Sequence, residues 1–350
     1  MASFGEVFED VTKCGRKIPT TSYAKCGLYP IIDQGQIDIA GYTNETEGLY
    51  ENVPAIVFGD HTRVIKYVDR PCFLGADGVK LLKAKIPNAN HRYLYYVLKN
   101  ARIPNTGYNR HFKWLKELEI PLPDAQTQTD IVGILDELED VLSLRKQQLA
   151  KLDELVKSRF IELFGDPDTN PLGWNEDVLS EHLEVIGGYA FKSDKFEDEG
   201  IPVLRIGNIN SGRFLPVNMV YWNDDPALER YKMYPGDLVM SLTGTVGKDD
   251  YGNVCILGAD YPEYYLNQRN AKLSLKPTLN AKYLSELLKF ERIKRRLTGI
   301  SRGVRQANIS NKDILCLCVP IAPINLQQQF AAFVEQTDKS KLCGEMEVAA

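Results

Sequence analysis

Residues 126–163 read QTQTDIVGILDELEDVLSLRKQQLAKLDELVKSRFIEL. Ile131, Leu135, Leu138, Leu142, Leu149, Leu152, Val156 and Leu163 fall on alternating steps of four and three, and only Arg145 and Arg159 interrupt the seam. The stretch holds no proline, and its one glycine, Gly133, is near the start. That spacing predicts a long amphipathic helix with a coiled-coil stripe, about 55 Å long at about 1.5 Å per residue. Pro121 and Pro123 set its start, with Asp124 or Thr127 as the cap. The run FGDP at 164–167 stops it, a glycine followed by a proline that cannot continue a helix. An apolar stripe of this length needs a partner helix. The plainer alternative is a single long helix lying on a globular core.

The rest of the composition sets bounds. A chain of 350 residues is long enough for two or three domains. With 44% hydrophobic and 25% charged residues it can build ordinary cores. No apolar run approaches the roughly 20 residues of a membrane span. The start, MASFGEVFED, lacks the basic and apolar regions of a signal peptide. Seven cysteines, an odd number at scattered spacing, argue against a disulfide framework and for a reducing cytoplasm, with buried thiols expected for most of them.

Charge is unevenly placed. Residues 1–122 carry 16 basic and 13 acidic side chains, a net +3, whereas residues 268–312 carry 12 basic against Glu286 and Glu291, a net +10. Two readings of that block are open, an anion-binding face and a solvated helix face.

Short β-like runs at 29–32, 53–58, 64–68 and 79–82, separated by turns rich in Gly and Asp, fill the first part of the chain. A helical stretch follows at 90–99, then a polar loop with aromatics at 107–112. After Pro167 the runs 203–209, 238–242, 254–257 and 271–275 read as strands, 279–290 as a helix, 292–312 as a basic loop region and 326–341 as a last helical segment. The two parts repeat one another. NHRYLYYVLK at 90–99 matches NAKYLSELLK at 280–289, and Ile120-Pro121 precedes Gln128 as Val319-Pro320 precedes Gln327. Self-similarity on this scale means duplicated domains. The second helix is the natural partner of the first, because Gln327, Phe330, Val334 and Thr337 continue the same spacing.

No catalytic motif emerges. GTVGK at 244–248 resembles a phosphate loop, but Leu242 stands where that pattern needs its first glycine and Asp249 follows the lysine. Four histidines, His61, His91, His111 and His182, are scattered singly. What is present suits nucleic acid. Lys and Arg neutralise phosphates, and Arg, Asn and Gln pair with base edges. The candidates for DNA contact are Arg63, Tyr108, Asn109 and Arg110 in the first half, and Gln268, Arg269, Arg302, Arg305 and Gln306 in the second. Ser241, Thr243 and Thr245 are weaker phosphate candidates. Two such groups joined by a helical spacer describe a reader of two separated DNA sites.

The order of the motifs resembles the specificity subunit of type I restriction–modification systems. It is carried by PLP at 121–123 with Gln128, FIELFGD at 160–166, GYAFKS at 188–193, GIPVLRIGN at 200–208, GDL at 236–238, SLTGTVG at 241–247 and YLNQR at 265–269. In the first half YPII at 29–32, IAGY at 39–42 and FGDHTR at 58–63 also fit. The resemblance implies an α+β fold, with two duplicated mixed α/β target-recognition domains joined by long coiled-coil helices. The expected boundaries are 1–122 and 166–320 for the two domains, 123–165 for the central helix, 321–341 for a shortened second helix and 342–350 for an atypical tail.

The resemblance further implies a non-catalytic, cytoplasmic reader of a bipartite double-stranded DNA target, with no cofactor, metal or membrane attachment. Methyltransferase subunits would dock on its helices, and restriction subunits would join through that complex. Leu135, Leu142, Leu149, Val156, Gln128, Gln327 and Phe330 are the expected subunit-interface residues. The alternatives are a coiled-coil scaffold that binds only proteins, or a nuclease or methyltransferase whose site lacks a recognisable motif. The heptad pattern of the second helix stops near Lys341, which leaves the distal half of the first helix, with Leu149, Leu152, Val156 and Leu163, expected to lack a partner.

Overall fold

The long helix spans Ala125–Phe164. Of the two cap candidates Asp124 is the one used. Its Oδ1 accepts from the Thr127 backbone N–H at 3.0 Å, and its Oδ2 from the Thr127 hydroxyl at 2.6 Å. Gly165, at φ +76°, ends the helix and donates its N–H to the Ile161 carbonyl at 2.8 Å. The Trp174 indole N–H then donates to the Phe164 carbonyl at 2.9 Å, satisfying one of the carbonyls that a helix end leaves open. The computed structural model describes all residues except 76, 77, 88, 108, 210, 211, 246–249, 300–305 and 350, and describes residues 306 and 342–349 by their backbone alone.

The chain divides into two units, Met1–Leu144 and Arg145–Ala350. In the first, an antiparallel sheet runs in the order Phe8–Asp10, Val79–Ala84, Ala55–Gly59, Ile65–Val68. A second sheet places Tyr29–Ile32 between Gly41–Thr43 and Phe73–Leu74, and the latter pair is parallel. The second unit has the same plan. Its antiparallel sheet runs Leu183–Gly187, Asn270–Leu275, Leu238–Ser241, Val254–Ile256. Its other sheet pairs Ile201–Leu204 with Val220–Trp222 antiparallel and with Tyr264–Leu266 parallel. The duplication read from two short helical runs therefore extends to strand order and direction. Helices and mixed sheets together make the expected α+β architecture.

The repeat is most exact where each unit meets a long helix. Asn90 and Asn280 cap the helices His91–Lys99 and Ala281–Lys289. The Tyr93 hydroxyl donates to the Pro121 carbonyl at 3.0 Å, and the Tyr283 hydroxyl to the Pro320 carbonyl at 2.8 Å. Gln128 Nε2 donates to the Pro123 carbonyl at 2.8 Å, as Gln327 Nε2 does to the Ala322 carbonyl at 2.7 Å. Arg92 reaches Asp136 at 2.7 Å and Glu139 at 3.2 Å, and Lys282 reaches Asp338 at 3.2 Å.

Gln327, Phe330, Val334 and Thr337 are all buried, as their spacing predicts. They lie on the helix Ile324–Ala349, whose backbone runs past Lys341. This helix pairs with the end of the central helix in the antiparallel sense. Phe330 packs on Phe160 and Phe164, with ring centroids 5.4 and 5.6 Å apart. Further along, Lys341 meets Asp153 at 2.7 Å. Direction corrects one expectation. An antiparallel helix starting at Phe164 covers the distal half of the central helix, so Val156 is 3% exposed, Leu163 packs on the core, and Leu149 and Leu152 are half-buried. Of the expected seam it is Leu138, on the proximal half, that is exposed, alongside the half-buried Leu135 and Leu142, while the exposed apolar residues of the distal half, Leu155 and Ile161, lie off the seam.

Two further expectations change. The basic stretch 292–312 is not one loop, because the helices Glu291–Thr298 and Asn311–Leu315 and the strand Gln306–Asn308 lie within or overlap it. Among the described cysteines, Cys72 and Cys255 are buried, whereas Cys14, Cys26 and Cys316 are exposed and Cys318 is half-buried. Burial holds the Cys72 and Cys255 thiols protonated, pushing each up to about 12.

Candidate nucleic-acid interface

In the first unit the turn at residues 59–64 and the loop at residues 103–111 are tied together. Arg63 sits at φ +63° in the turn between Ala55–Gly59 and Ile65–Val68, and its guanidinium donates to the Ile103 carbonyl at 3.2 Å. His61 Nδ1 lies 3.2 Å from the Asn109 carbonyl. Beneath them Asp60 and His111 are buried. The Asp60 carboxylate accepts from the Phe112 N–H at 2.7 Å, and its carbonyl from the His111 N–H at 2.8 Å. This buried pair holds Asn109 and Arg110 out on an exposed loop. The structure thus brings Arg63, Asn109 and Arg110 to one place, although Arg63 spends a donor on the fold. Tyr108 lies outside the described residues.

In the second unit three segments far apart in sequence converge. Thr243–Thr245 pairs antiparallel with Gln306–Asn308, Thr245 opposite Gln306. Between the ribbon and the turn at residues 267–270, the Leu242 N–H donates to the Arg269 carbonyl at 2.8 Å, while the Leu242 carbonyl accepts from the Ile309 N–H at 2.9 Å. Gln268 and Arg269 are exposed on that turn, with Thr245 exposed and Thr243 half-buried on the ribbon. The GTVGK run therefore begins as a strand, not as a phosphate loop. Arg302 and Arg305 lie outside the described residues, as does the Gln306 side chain.

Ser241 is a correction. It is 0% exposed, and its hydroxyl accepts from the Asn253 N–H at 3.1 Å. It holds a turn and has no open face for a phosphate.

The basic block is also less free than its charge suggests. Lys272 pairs with Asp237, Lys289 with Glu286, and Arg295 with Glu291. Lys294 is buried and donates to Asn253 Oδ1 at 2.7 Å, and Arg296 donates to the Cys318 carbonyl at 2.9 Å. Lys272, Lys294 and Arg296 are thus held within the fold, while the net +10 already counts Glu286 and Glu291 against the block.

Tyr189 was not among the candidates. It is 38% exposed, and its carbonyl accepts from the Gln268 N–H at 2.9 Å, which sets its backbone beside the candidate turn while its ring packs on Phe191 and Tyr231 with centroids 5.0 and 5.4 Å apart. The GYAFKS run was the available signal. Its glycine is obligatory there, since a Cβ on Gly188 would lie 2.2 Å from the Asn267 carbonyl oxygen. Among the described residues no group of three or more His, Cys, Asp or Glu is placed to hold a metal ion, and no helix is long and apolar enough to cross a membrane.

Residues 1–154 and 171–343 match the family model described as "Type I restriction modification DNA specificity domain". The chain belongs to this family. It is 25% identical over 300 residues to the type I restriction enzyme MjaVIII specificity subunit of Methanocaldococcus jannaschii, covering 76% of this chain and 69% of that protein. It is 31% identical over 139 residues to the EcoR124I/EcoR124II specificity subunit of Escherichia coli, covering only 34% of each. Among solved structures, the S subunit of a type I restriction–modification system from M. genitalium superposes with a TM-score of 0.58 at 16% identity, over 99% of this chain and 91% of that one. That likeness speaks for the shared fold. As a family member the chain is a specificity subunit, a DNA-recognition component without catalysis of its own.

Proposed function

We propose that the chain reads a bipartite double-stranded DNA target, one half-site per unit, and that its helices set the spacing between the halves. Residues 1–122 and 166–320 are the two recognition domains, 123–165 is the spacer and 321–341 the second conserved helix. The observation that carries this reading is the duplication itself. Each unit meets a long helix through the same tyrosine–proline and glutamine anchors, and each presents an exposed polar turn. In the first unit Asn109 and Arg110, with Tyr108, make the contact. In the second Thr243, Thr245, Gln268 and Arg269, with Arg302, Arg305 and Gln306, make it. Arg and Gln side chains suit base edges, while Thr hydroxyls suit phosphates. Methyltransferase subunits dock on the helices around Gln128, Leu135, Leu142 and Leu149, whereas Val156, Gln327 and Phe330, expected at the same interface, are buried within the chain; restriction subunits join through the methyltransferase subunits, and the assembly works in the cytoplasm.

The test is selection from a random duplex library at two salt concentrations, with and without a methyltransferase subunit. Two short half-sites at fixed spacing, with affinity falling steeply in salt, are expected. Enrichment of a single half-site would overturn the bipartite reading, and no enrichment under any condition would overturn DNA reading by this chain.

A further inference from the structure

The second-unit turn that exposes Arg269 has a counterpart in the first unit. Leu242 bonds the Arg269 carbonyl through its N–H and the Ile309 N–H through its carbonyl; in the same way the Asp60 N–H donates to the Gly78 carbonyl at 2.7 Å, and the Asp60 carbonyl accepts from the His111 N–H. The strands agree. Val239, three residues before Leu242, pairs with Cys255 and Lys272, and Val57, three residues before Asp60, pairs with Lys66 and Leu81. Gly78 therefore stands where the second unit shows Arg269.

The loop at residues 33–38, DQGQID, lies against that glycine. A Cβ on Gly78 would lie 2.6 Å from Gln34 Oε1. The same Oε1 accepts from the His61 N–H at 3.2 Å, and the Gln34 carbonyl accepts from the Thr62 hydroxyl at 2.6 Å. The loop is thus bonded to the turn that carries Arg63.

Lys66 fixes the other end of the loop. It is 3% exposed, and its ammonium donates to the Ile37 carbonyl at 2.6 Å and pairs with Asp33 at 3.4 Å. Taking an ammonium out of water is costly, and burial lowers this one below its ordinary range. Cys255 holds the equivalent place in the second unit, so the strand itself needs no lysine there. What the buried cation secures is a loop whose Ile37 is 74% exposed. A lone exposed isoleucine is ordinary on a protein surface; one whose backbone is gripped by a buried ammonium, beside a candidate DNA-reading turn, is a positioned apolar group. The loop carries Asp33 and Asp38 and no Lys or Arg, so it suits base edges and not phosphates. The apolar feature of base edges in the major groove is the thymine methyl.

We propose that Ile37 reads a thymine methyl group in the half-site of the first unit, and that Lys66 is the residue that positions it. The inference rests on DNA reading by this unit.

The test follows selection of the two half-sites. Each thymine of the selected duplex is exchanged in turn for deoxyuridine, which removes only the methyl, and affinities are measured for the full chain. At one position the parent chain is expected to lose about threefold, the worth of one buried methyl. Ile37→Ala is expected to bind the thymine and uracil duplexes equally at that position and to keep the selectivity of the other half-site. Lys66→Met, which keeps the stem and removes the ammonium, shrinks the same discrimination, whereas a merely structural role lowers affinity for both duplexes alike. Ile37→Ala, at an exposed position, carries the test if Lys66→Met fails to fold. Two selected half-sites with no methyl effect in the parent chain, or with the parent's full pattern kept in Ile37→Ala, overturn this inference and leave DNA reading intact. No selected half-site overturns both.

Discussion

Tyr283 donates its hydroxyl to the carbonyl of Pro320 at 2.8 Å, inside a core where the tyrosine is 1% exposed. Burial pushes this phenol well above its ordinary ionisation range, so the proton stays in place to make the bond. Proline has no N–H, and its carbonyl here would otherwise face an apolar cluster. Tyr283→Phe removes the donor and leaves that carbonyl unsatisfied, which costs about 1–2 kcal/mol. Tyr93→Phe breaks the equivalent, only partly buried bond to Pro121 and costs less. Urea unfolding of the two variants gives both numbers.

Phe160 is 1% exposed and touches the rings of Phe164, Tyr283, Phe290 and Phe330. Phe160→Ala opens a cavity among rigid rings and costs about 3–5 kcal/mol. Hydrogen exchange localises the loss to residues 145–350, and protection of the strands in residues 1–144 is expected to stay as in the parent chain.

Exposed cations and buried hydroxyls in the candidate sites separate by their salt response. Arg110→Ala and Arg269→Ala each weaken DNA binding, and a contact to phosphate lowers the salt slope by about one. Ser241→Ala lowers stability instead, because its hydroxyl bonds the Asn253 N–H, and it leaves the slope unchanged. Binding isotherms at four salt concentrations distinguish the two behaviours.

Asp136 links the central helix to Arg92 and Tyr96. Partial burial works to raise its carboxyl, but hydrogen bonds from Tyr96 and Arg92 prevail and hold it below the ordinary 3.8. The folded state therefore favours the ionised form. Its contribution is present above the unfolded value and is lost as pH falls through the lower folded one. Thermal melts of the parent chain and Asp136→Asn are expected to differ at neutral pH and to converge as the pH drops below about 3.8.

Local and periodic features were legible in the sequence. The central helix, its Asp124 cap and its Gly165 stop all follow from neighbouring residues, and the duplication shows in ten residues around Tyr93 and Tyr283. The direction of helix pairing was not legible, because an apolar stripe on alternating steps reads the same for parallel and antiparallel partners. For that reason Leu138 and Val156 exchanged their expected environments. The burial of Ser241 depends on Asn253, and the meeting of Thr245 with Gln306 depends on strand pairing across a long stretch of chain. No residue spacing encodes either. Tyr189 was visible within a motif but carried no charge to draw notice, although stacking on bases needs only a ring.

The carboxylates on residues 125–144 of the central helix, two of which tie it to Arg92, also act at a distance. Duplex DNA is a dense polyanion; Arg92 and Lys99 answer Asp136 and Glu139, and the exposed Asp130, Glu137 and Asp140 repel it over roughly a Debye length, about 8 Å at physiological salt. The helix is thereby an electrostatic fence. Nucleic acid arriving from solution is turned away from this stretch and left to settle on the exposed arginines. Charge on this helix thus narrows where a duplex lands before any contact is made.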